Sequence, residues 1–569
     1  MFQEHSLLLL GIEMTVFDSS VYIDGTFGWR VTKKSWGMIW FKGYIYNYSN
    51  PTDFAECIYR FIKDNNSNRL SKILSDADGH FALVIKANDL LFAAVDRIRS
   101  IPLFFVDRQS AFLLTDQPNK IIDKLNRSEL TVNSQAKLMI SMSGYCSRDS
   151  TLISGLKQLQ SGEYLKIENR KKLNILNYYK YHPLNPEKNK SKLFLTKELE
   201  LISIRIIQKI INSAENRMIL VPLSGGLDSR LVASGLAKLD YKNVRCFSYG
   251  KKKNFESLTS EIIAKKLGYK WKFVELTHST IRDDYNSNLH DEYHRYSNTF
   301  ASVPVEHEYS AIRLLKESGW IPDDAIIVNG MSGDYLTGSH IPAIFHSSEV
   351  YADEKERKCK ILTSIIDKHY SLWGNLKTQQ NMKIVSDVLW REIVDEINGL
   401  PEKIDDDFGL YEFSEFKNRQ TKYVITVQRV YEFFGYEWRL PLWDKEYLDY
   451  WEKIHKSHKF KRSLFVDLMH DLDWGGVWNM KYPKNSVYPK WIATIRFLTK
   501  IFFVLSGKDV WQKYDKKIFY YWTEILCKMG VVNYRDVFKD RRGYRNAVSW
   551  LTENYLEKMK LIYKSKDYN

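Results

Sequence analysis

Between residues 37 and 169 the apolar positions fall in short runs and two-residue alternation, punctuated by Gly, Asn and Asp. GMIWFKGYIYNY (37–48), GHFALVIKAND (79–89), LLFAAVDR (90–97) and GEYLKIEN (162–169) read as strands. One stretch among them, DFAECIYRFIKD (53–64), has helical spacing instead. YHPLNPEKNKSK (181–192) is polar, carries two prolines and keeps no period, which marks a linker. A helix follows over 193–214. Then RMILVPLSGGLDSRLVASGLAKLDYKNVRCFSYG (217–250) passes from an apolar run through a Gly-rich turn into a helix and a second strand, VRCFSYG. That succession predicts a doubly wound parallel sheet, with DAIIVNG (324–330) as a further strand. The remainder is mostly helical by pattern, without internal repeats. WIATIRFLTKIFFVL (491–505) admits two settings: a helix packed against the preceding domain, which is the preferred reading, or a peripheral contact lying on a membrane surface.

At 569 residues the chain exceeds one ordinary core. The pattern divides it into an α+β domain over 1–182, an α/β parallel-sheet domain over 190–490 and a helical extension over 491–569. The net charge of +15 favours anionic partners such as phosphorylated substrates, acidic polymers or a negative membrane surface. With no Arg-rich stripe or known binding motif, nucleic acid is not an expected partner. The five cysteines are widely spaced and form no CxxC pair, which suits a reduced, cytoplasmic protein. The opening MFQEHSLLLLGIEM lacks a basic n-region and a small-residue cleavage site, so no signal peptide is expected. No run of 18 apolar residues occurs that could span a membrane.

The strongest chemical signal is SGGLDS, Ser224 to Ser229. A strand running into Ser-Gly-Gly exposes consecutive backbone N–H groups, and the positive end of the next helix adds to them, so phosphate binds without a lysine. Glycine is needed because a Cβ would hold the backbone away from the phosphate oxygens. Asp228, just beyond, is placed to hold Mg²⁺ against those phosphates.

The hexapeptide resembles the pyrophosphatase loop of ligases that adenylate an acid, namely asparagine synthetases, β-lactam synthetases and lasso-peptide cyclases. FSYG (247–250) with ESLTSEIIAKKLG (256–268), NGMSGD (329–334) and EWRLPLWDKEYLDYW (437–451) resemble further elements of that family, in family order. KYPKNSVYP (481–489) resembles its basic segment. The resemblance implies that Leu223, Tyr249 and Gly330 touch ATP largely through backbone groups. Ser224, Gly225, Gly226 and Ser229 would cradle its phosphates, Asp228 and Asp334 would hold Mg²⁺, and Glu437 and Lys484 would be catalytic, with Lys481 in reserve. It extends to about residue 490, and the last residues match no named element.

The first domain resembles the class II glutamine amidotransferase β-sandwich through FKGYIYN (41–47), GHFALVI (79–85) and DRIRSIPLFF (96–105). That family needs an N-terminal cysteine nucleophile, whereas Phe2 follows Met1 here. Its oxyanion asparagine is replaced by Lys42, so glutaminase activity is not expected. A second departure is Met331, which stands where asparagine synthetases carry Glu and β-lactam synthetases carry Tyr. It cannot accept a proton, and His307 and His340 are candidate substitutes.

The expected function is an AMP-forming amide ligase acting on a small-molecule or glycan carboxylate with ammonia or an amine. A uronic acid of a surface polysaccharide is the first choice of acid. A lasso-cyclase-like or asparagine-forming ligase is the enzymatic alternative, and a catalytically degenerate scaffold is the alternative from another class. Association into a homodimer is left open.

Overall fold

The structure, a computed structural model, describes residues 18–88, 90–108, 111–125, 130–168, 173–346, 351–483, 490–503 and 507–562. Met1, Phe2 and Lys484 lie outside these residues.

Ten strands build the first domain: β1 (Asp18–Tyr22), β2 (Arg30–Lys34), β3 (Gly37–Ile45), β4 (Gly79–Ala87), β5 (Leu90–Val95), β6 (Phe104–Asp107), β7 (Ala111–Thr115), β8 (Leu156–Gln158), β9 (Glu163–Glu168) and β10 (Asn174–Asn177). They form a four-stranded sheet, β1-β7-β6-β8, and a six-stranded sheet, β10-β9-β5-β4-β3-β2. The central strands of the larger sheet read as continuous apolar runs because both of its faces are covered. Ile39, Phe41, Phe81, Leu83, Ile85 and Phe92 turn one way, onto Phe54, Ile58 and Ile62 of the helix Pro51–Lys63. Their neighbours Trp40, Ala82, Val84, Leu91 and Ala93 turn the other way, onto Phe105, Phe112 and Leu114 of the smaller sheet. The two-residue period of a strand thus feeds two cores from one sequence.

A third sheet has five strands among the described residues: β11 (Ile219–Pro222), β12 (Val244–Gly250), β13 (Lys270–Glu275), β14 (Ile326–Val328) and β15 (Glu437–Arg439). Every pairing is parallel and the order is β13-β12-β11-β14-β15. The chain leaves β11 towards β12 on one side and returns to β14 on the other. The crevice beyond the C-terminal ends of β11 and β14 is therefore the switch point where such sheets receive ligands. The helix Leu227–Lys238 packs tightly on the helix Lys192–Ala214, and a Cβ at Gly235 would come 2.8 Å from Ile207.

The units interlock. Cys146 N–H bonds Ala301 O at 2.7 Å and Leu152 N–H bonds Phe300 O at 2.7 Å, which ties the end of the first domain to the loop before residue 308. The terminal helix Ala547–Ile562 packs on the helix Ser134–Ser143. The helix expected within 491–505 exists, as Lys490–Phe503, and among the described residues it packs on the helix Lys508–Ile518. Of its described side chains only Ile492 is buried.

Candidate functional site

The turn Ser224–Ser229 leaves β11 at the switch point. Its hydroxyls shape it: Ser224 N–H donates to Ser229 Oγ at 3.1 Å, and Gly226 N–H donates to Ser224 Oγ at 3.1 Å. Gly226 caps the helix Leu227–Lys238 without a side chain, so no side-chain oxygen occupies the first turn's N–H groups. Those groups, with the helix's positive end, form the anion receptor that the sequence implies.

The loop after β14 reaches this turn through two glycines. A Cβ at Gly330 would sit 2.7 Å from the Asp228 carbonyl carbon, and one at Gly333 would sit 2.6 Å from Asp228 Oδ1. That close approach lets the Asp334 N–H donate to Asp228 Oδ2 at 2.9 Å. The backbone of one foreseen cation ligand thus meets the carboxylate of the other, and Asp228 feels the charge of Asp334. Burial pushes the Asp228 carboxyl up to about 6, against the Arg462 guanidinium and with the charge of Asp334. Burial also works against the Asp334 anion, but His340, whose Nε2 lies 3.1 Å from Oδ2, outweighs it and holds that carboxyl below its ordinary range. Arg462 bonds Asp228 Oδ1 directly. Two neighbouring carboxylates with only partial cationic compensation are a hard-oxygen donor set that fits a divalent ion.

A cavity of about 230 Å³ opens beside the turn. Leu223, Ser224, Gly226, Asp228, Ser229, Tyr249 and Gly330 line it, so these sequence candidates share one site. Gly225 backs it instead, packed 3.3 Å (from a built Cβ) against Glu256. Met331 is also on the wall.

Three residues of this site carry no motif. Glu308 lines the cavity, accepts from Tyr431 Oη–H at 2.5 Å, and is pushed by burial up to about 7. Arg462 faces Asp228 from a left-handed backbone position just before the helix Ser463–Leu472. Leu526 closes the wall from the C-terminal extension. Its segment is held by Lys251 N–H to Ile525 O at 2.7 Å and by His278 Nε2 to Tyr521 O at 2.8 Å. Beside it the Lys528 ammonium, which burial pushes below its ordinary range, feels the charges of Glu524, Glu256 and Glu308.

Glu437 is not in this site. It opens β15, in register with Ile326, which in turn is in register with Ile219 at the start of β11. The nucleotide turn follows the other end of β11, about 13 Å away along the strands. Glu437 is held as an anion by Arg217 at 2.8 Å and Arg439 at 3.2 Å, which outweigh its partial burial. Its carboxylate is engaged as an ion-pair partner at the far end of the sheet from the turn. Of the basic segment, Lys481 is exposed, and Tyr482 lies under the Arg230 guanidinium, 4.5 Å from ring centre to carbon. Of the candidate substitutes for Met331, His307 is exposed and kept neutral by the charge of Lys528, and His340 is committed to Asp334 and Glu415.

Residues 214–471 match the model of the asparagine synthase family. Among curated proteins none matches the chain significantly. Two solved structures give matches at 10% identity. One is an allosteric regulatory enzyme of purine biosynthesis, at TM-score 0.17 over 43% of this chain and 61% of that one. The other is a glutamine phosphoribosylpyrophosphate amidotransferase from B. subtilis, at TM-score 0.17 over 52% and 62%. The chain thus spans less than two thirds of either relative. The turn, both aspartates and the five-stranded parallel sheet all fall inside the segment, residues 214–471, that is similar to the asparagine synthase family.

Proposed function

We propose that the chain is an AMP-forming amide ligase whose nucleotide lies in the cavity beside residues 224–229. The observation that carries this reading is the convergence of Asp228 and Asp334 on the mouth of a turn with uncapped helix N–H groups. A carboxylate oxygen of the acid attacks the α-phosphorus of ATP, the bond to the bridging oxygen breaks, and pyrophosphate leaves. A nitrogen nucleophile then attacks the acyl carbon of the acyl-adenylate, the C–O bond to AMP breaks, and the nitrogen gives up a proton. Asp228 and Asp334 would hold Mg²⁺, which when bound supplies positive charge against the phosphates. Backbone N–H groups of the turn orient the phosphates, and Arg462 adds a fixed cation beside them.

Glu308 accepts the proton. Position 331 carries a thioether, whereas Glu308 is a carboxylate on the same cavity wall with an affinity for protons raised to about 7, suited to a base near neutrality. The nitrogen comes from free ammonia or an amine rather than glutamine. Lys42 supports that choice, since its Nζ is spent on Glu432 Oε2 at 2.8 Å and cannot act as a neutral oxyanion donor like an asparagine. For the acid we favour a uronic acid of a surface polysaccharide or its nucleotide-linked precursor, in keeping with the net charge of +15.

Pyrophosphate exchange into ATP, assayed with a panel of carboxylic acids, tests the reading. Exchange that needs one acid and Mg²⁺ and vanishes in Asp228→Asn is the expected result. Exchange that is unchanged in Asp228→Asn would overturn it.

A further inference from the structure

The helix Lys490–Phe503 packs on its neighbour Lys508–Ile518 to form a hairpin. The inward side of the first helix is fixed by three contacts. Ile492 is buried, Phe503 packs on Tyr514 with ring centres 4.3 Å apart, and Arg496 pairs with Asp515. At about 100° per residue Trp491, Ile495, Leu498 and Phe502 fall in one stripe about 110° around the helix from that side, and Phe497 and Ile501 extend the outward arc beyond it. All six are exposed, led by Phe502 at 79%, Phe497 at 66% and Trp491 at 63%. A contiguous patch of six large apolar side chains is more than a soluble surface ordinarily carries, and marks a docking face.

Charge identifies what covers it. Between 490 and 517 seven lysines and arginines stand against two aspartates, and one of those aspartates is taken by Arg496. Lys500, Lys508 and Lys513 are exposed on the same two helices. A second copy meeting this face across a two-fold axis would set these cations against themselves. Aromatic and aliphatic residues flanked by lysines match instead the boundary between acyl chains and anionic headgroups. No helix among the described residues is long and apolar enough to cross a bilayer, so such a helix would lie in the interface plane.

We infer that the helix Lys490–Phe503 is a membrane-surface anchor that seats its Trp491–Phe502 stripe in a bilayer bearing anionic lipid. The anchor is joined to the part of the chain that supplies Leu526, so it would hold the ligase site near the membrane. The test is flotation of the full chain with vesicles of equal parts phosphatidylcholine and phosphatidylglycerol, alongside phosphatidylcholine alone. The comparison variant is Trp491→Glu/Phe497→Glu/Phe502→Glu. Its sites are exposed, so an unchanged melting temperature is expected of it. The wild type should float with the mixed vesicles, float at least about tenfold less with phosphatidylcholine alone, and lose binding in high salt. The triple variant should stay unbound. Wild type that remains unbound, or a triple variant that floats equally, overturns the inference. So does a wild-type dimer in light scattering that ignores vesicles and dissolves in the triple variant, since a second copy would then cover the face.

Discussion

The two ends of the parallel sheet hold charge in opposite ways. At the C-terminal end, Asp228 and Asp334 are drawn together beside an open cavity, and burial leaves Asp228 and Glu308 with proton affinities near neutrality. At the N-terminal end, where the sheet meets the β-sandwich, Glu437 and Lys42 are closed into ion pairs. Glu437 lies between Arg217 and Arg439, and Lys42 is buried against Glu432 with Tyr296 donating to the same carboxylate. Incompletely compensated carboxylates are a cost that a ligand can offset, whereas a closed ion pair asks for nothing further. The contrast separates carboxylates left near neutrality from carboxylates held as anions.

Substitutions at the two ends should therefore fail differently. Asp228→Asn is expected to lower pyrophosphate exchange by on the order of a thousand-fold. Its melting temperature should hold, because the folded protein already disfavours that anion. Lys42→Met should do the reverse. It leaves Glu432 buried without its cation, a loss of about 3 kcal/mol in a denaturant titration, while the thermal shift given by ATP and Mg²⁺ persists. Lys42→Met/Glu432→Met should recover most of that stability. Failure to recover would mean the pair is not the closed unit it resembles.

The next effect is smaller and depends on pH. Glu308→Gln should lower amide formation by about 100-fold above pH 7 and flatten the rise of the rate through about pH 7 expected of the wild type. A linked stability effect has a definite sign. Between its ordinary range and about 7 the folded protein binds the Glu308 proton and the unfolded chain does not, so this residue's contribution to stability falls as pH rises through that window. Melting curves of wild type and Glu308→Gln across it would converge at acid pH and separate above. The smallest expected change is for Leu526→Ala, about tenfold weaker nucleotide binding by calorimetry, from loss of one apolar wall.

The turn was legible because its chemistry is local. Six consecutive residues carry the glycines, hydroxyls and carboxylate, and the apolar run before them and helical period after them fix the strand and helix. The strands around 37–48, 79–97 and 244–250 were legible for the same reason, since period and turn residues sit side by side. Glu437 misled because its motif gives a strand without saying which end of the strand faces the ligand. That end is decided by the parallel pairing of β15 with β14, a contact between residues more than a hundred apart. Glu308 in VPVEHEYS and Leu526 in the extension have no local signal at all. Their roles come from the loop after residue 300 and from a segment docked on Gly250 and Lys251, and only the folded chain brings these together. The exposed stripe on Lys490–Phe503 was visible as a pattern, but an apolar helical face reads alike whether a core or a membrane covers it.

The most direct test of the central claim is the structure of the protein with a non-hydrolysable ATP analogue and Mg²⁺. Phosphates against the N–H groups of Ser224–Ser229, with the ion between Asp228 and Asp334 and the base beside Tyr249, are the predicted result. An analogue bound elsewhere, or that turn left empty at saturating nucleotide, would contradict the account.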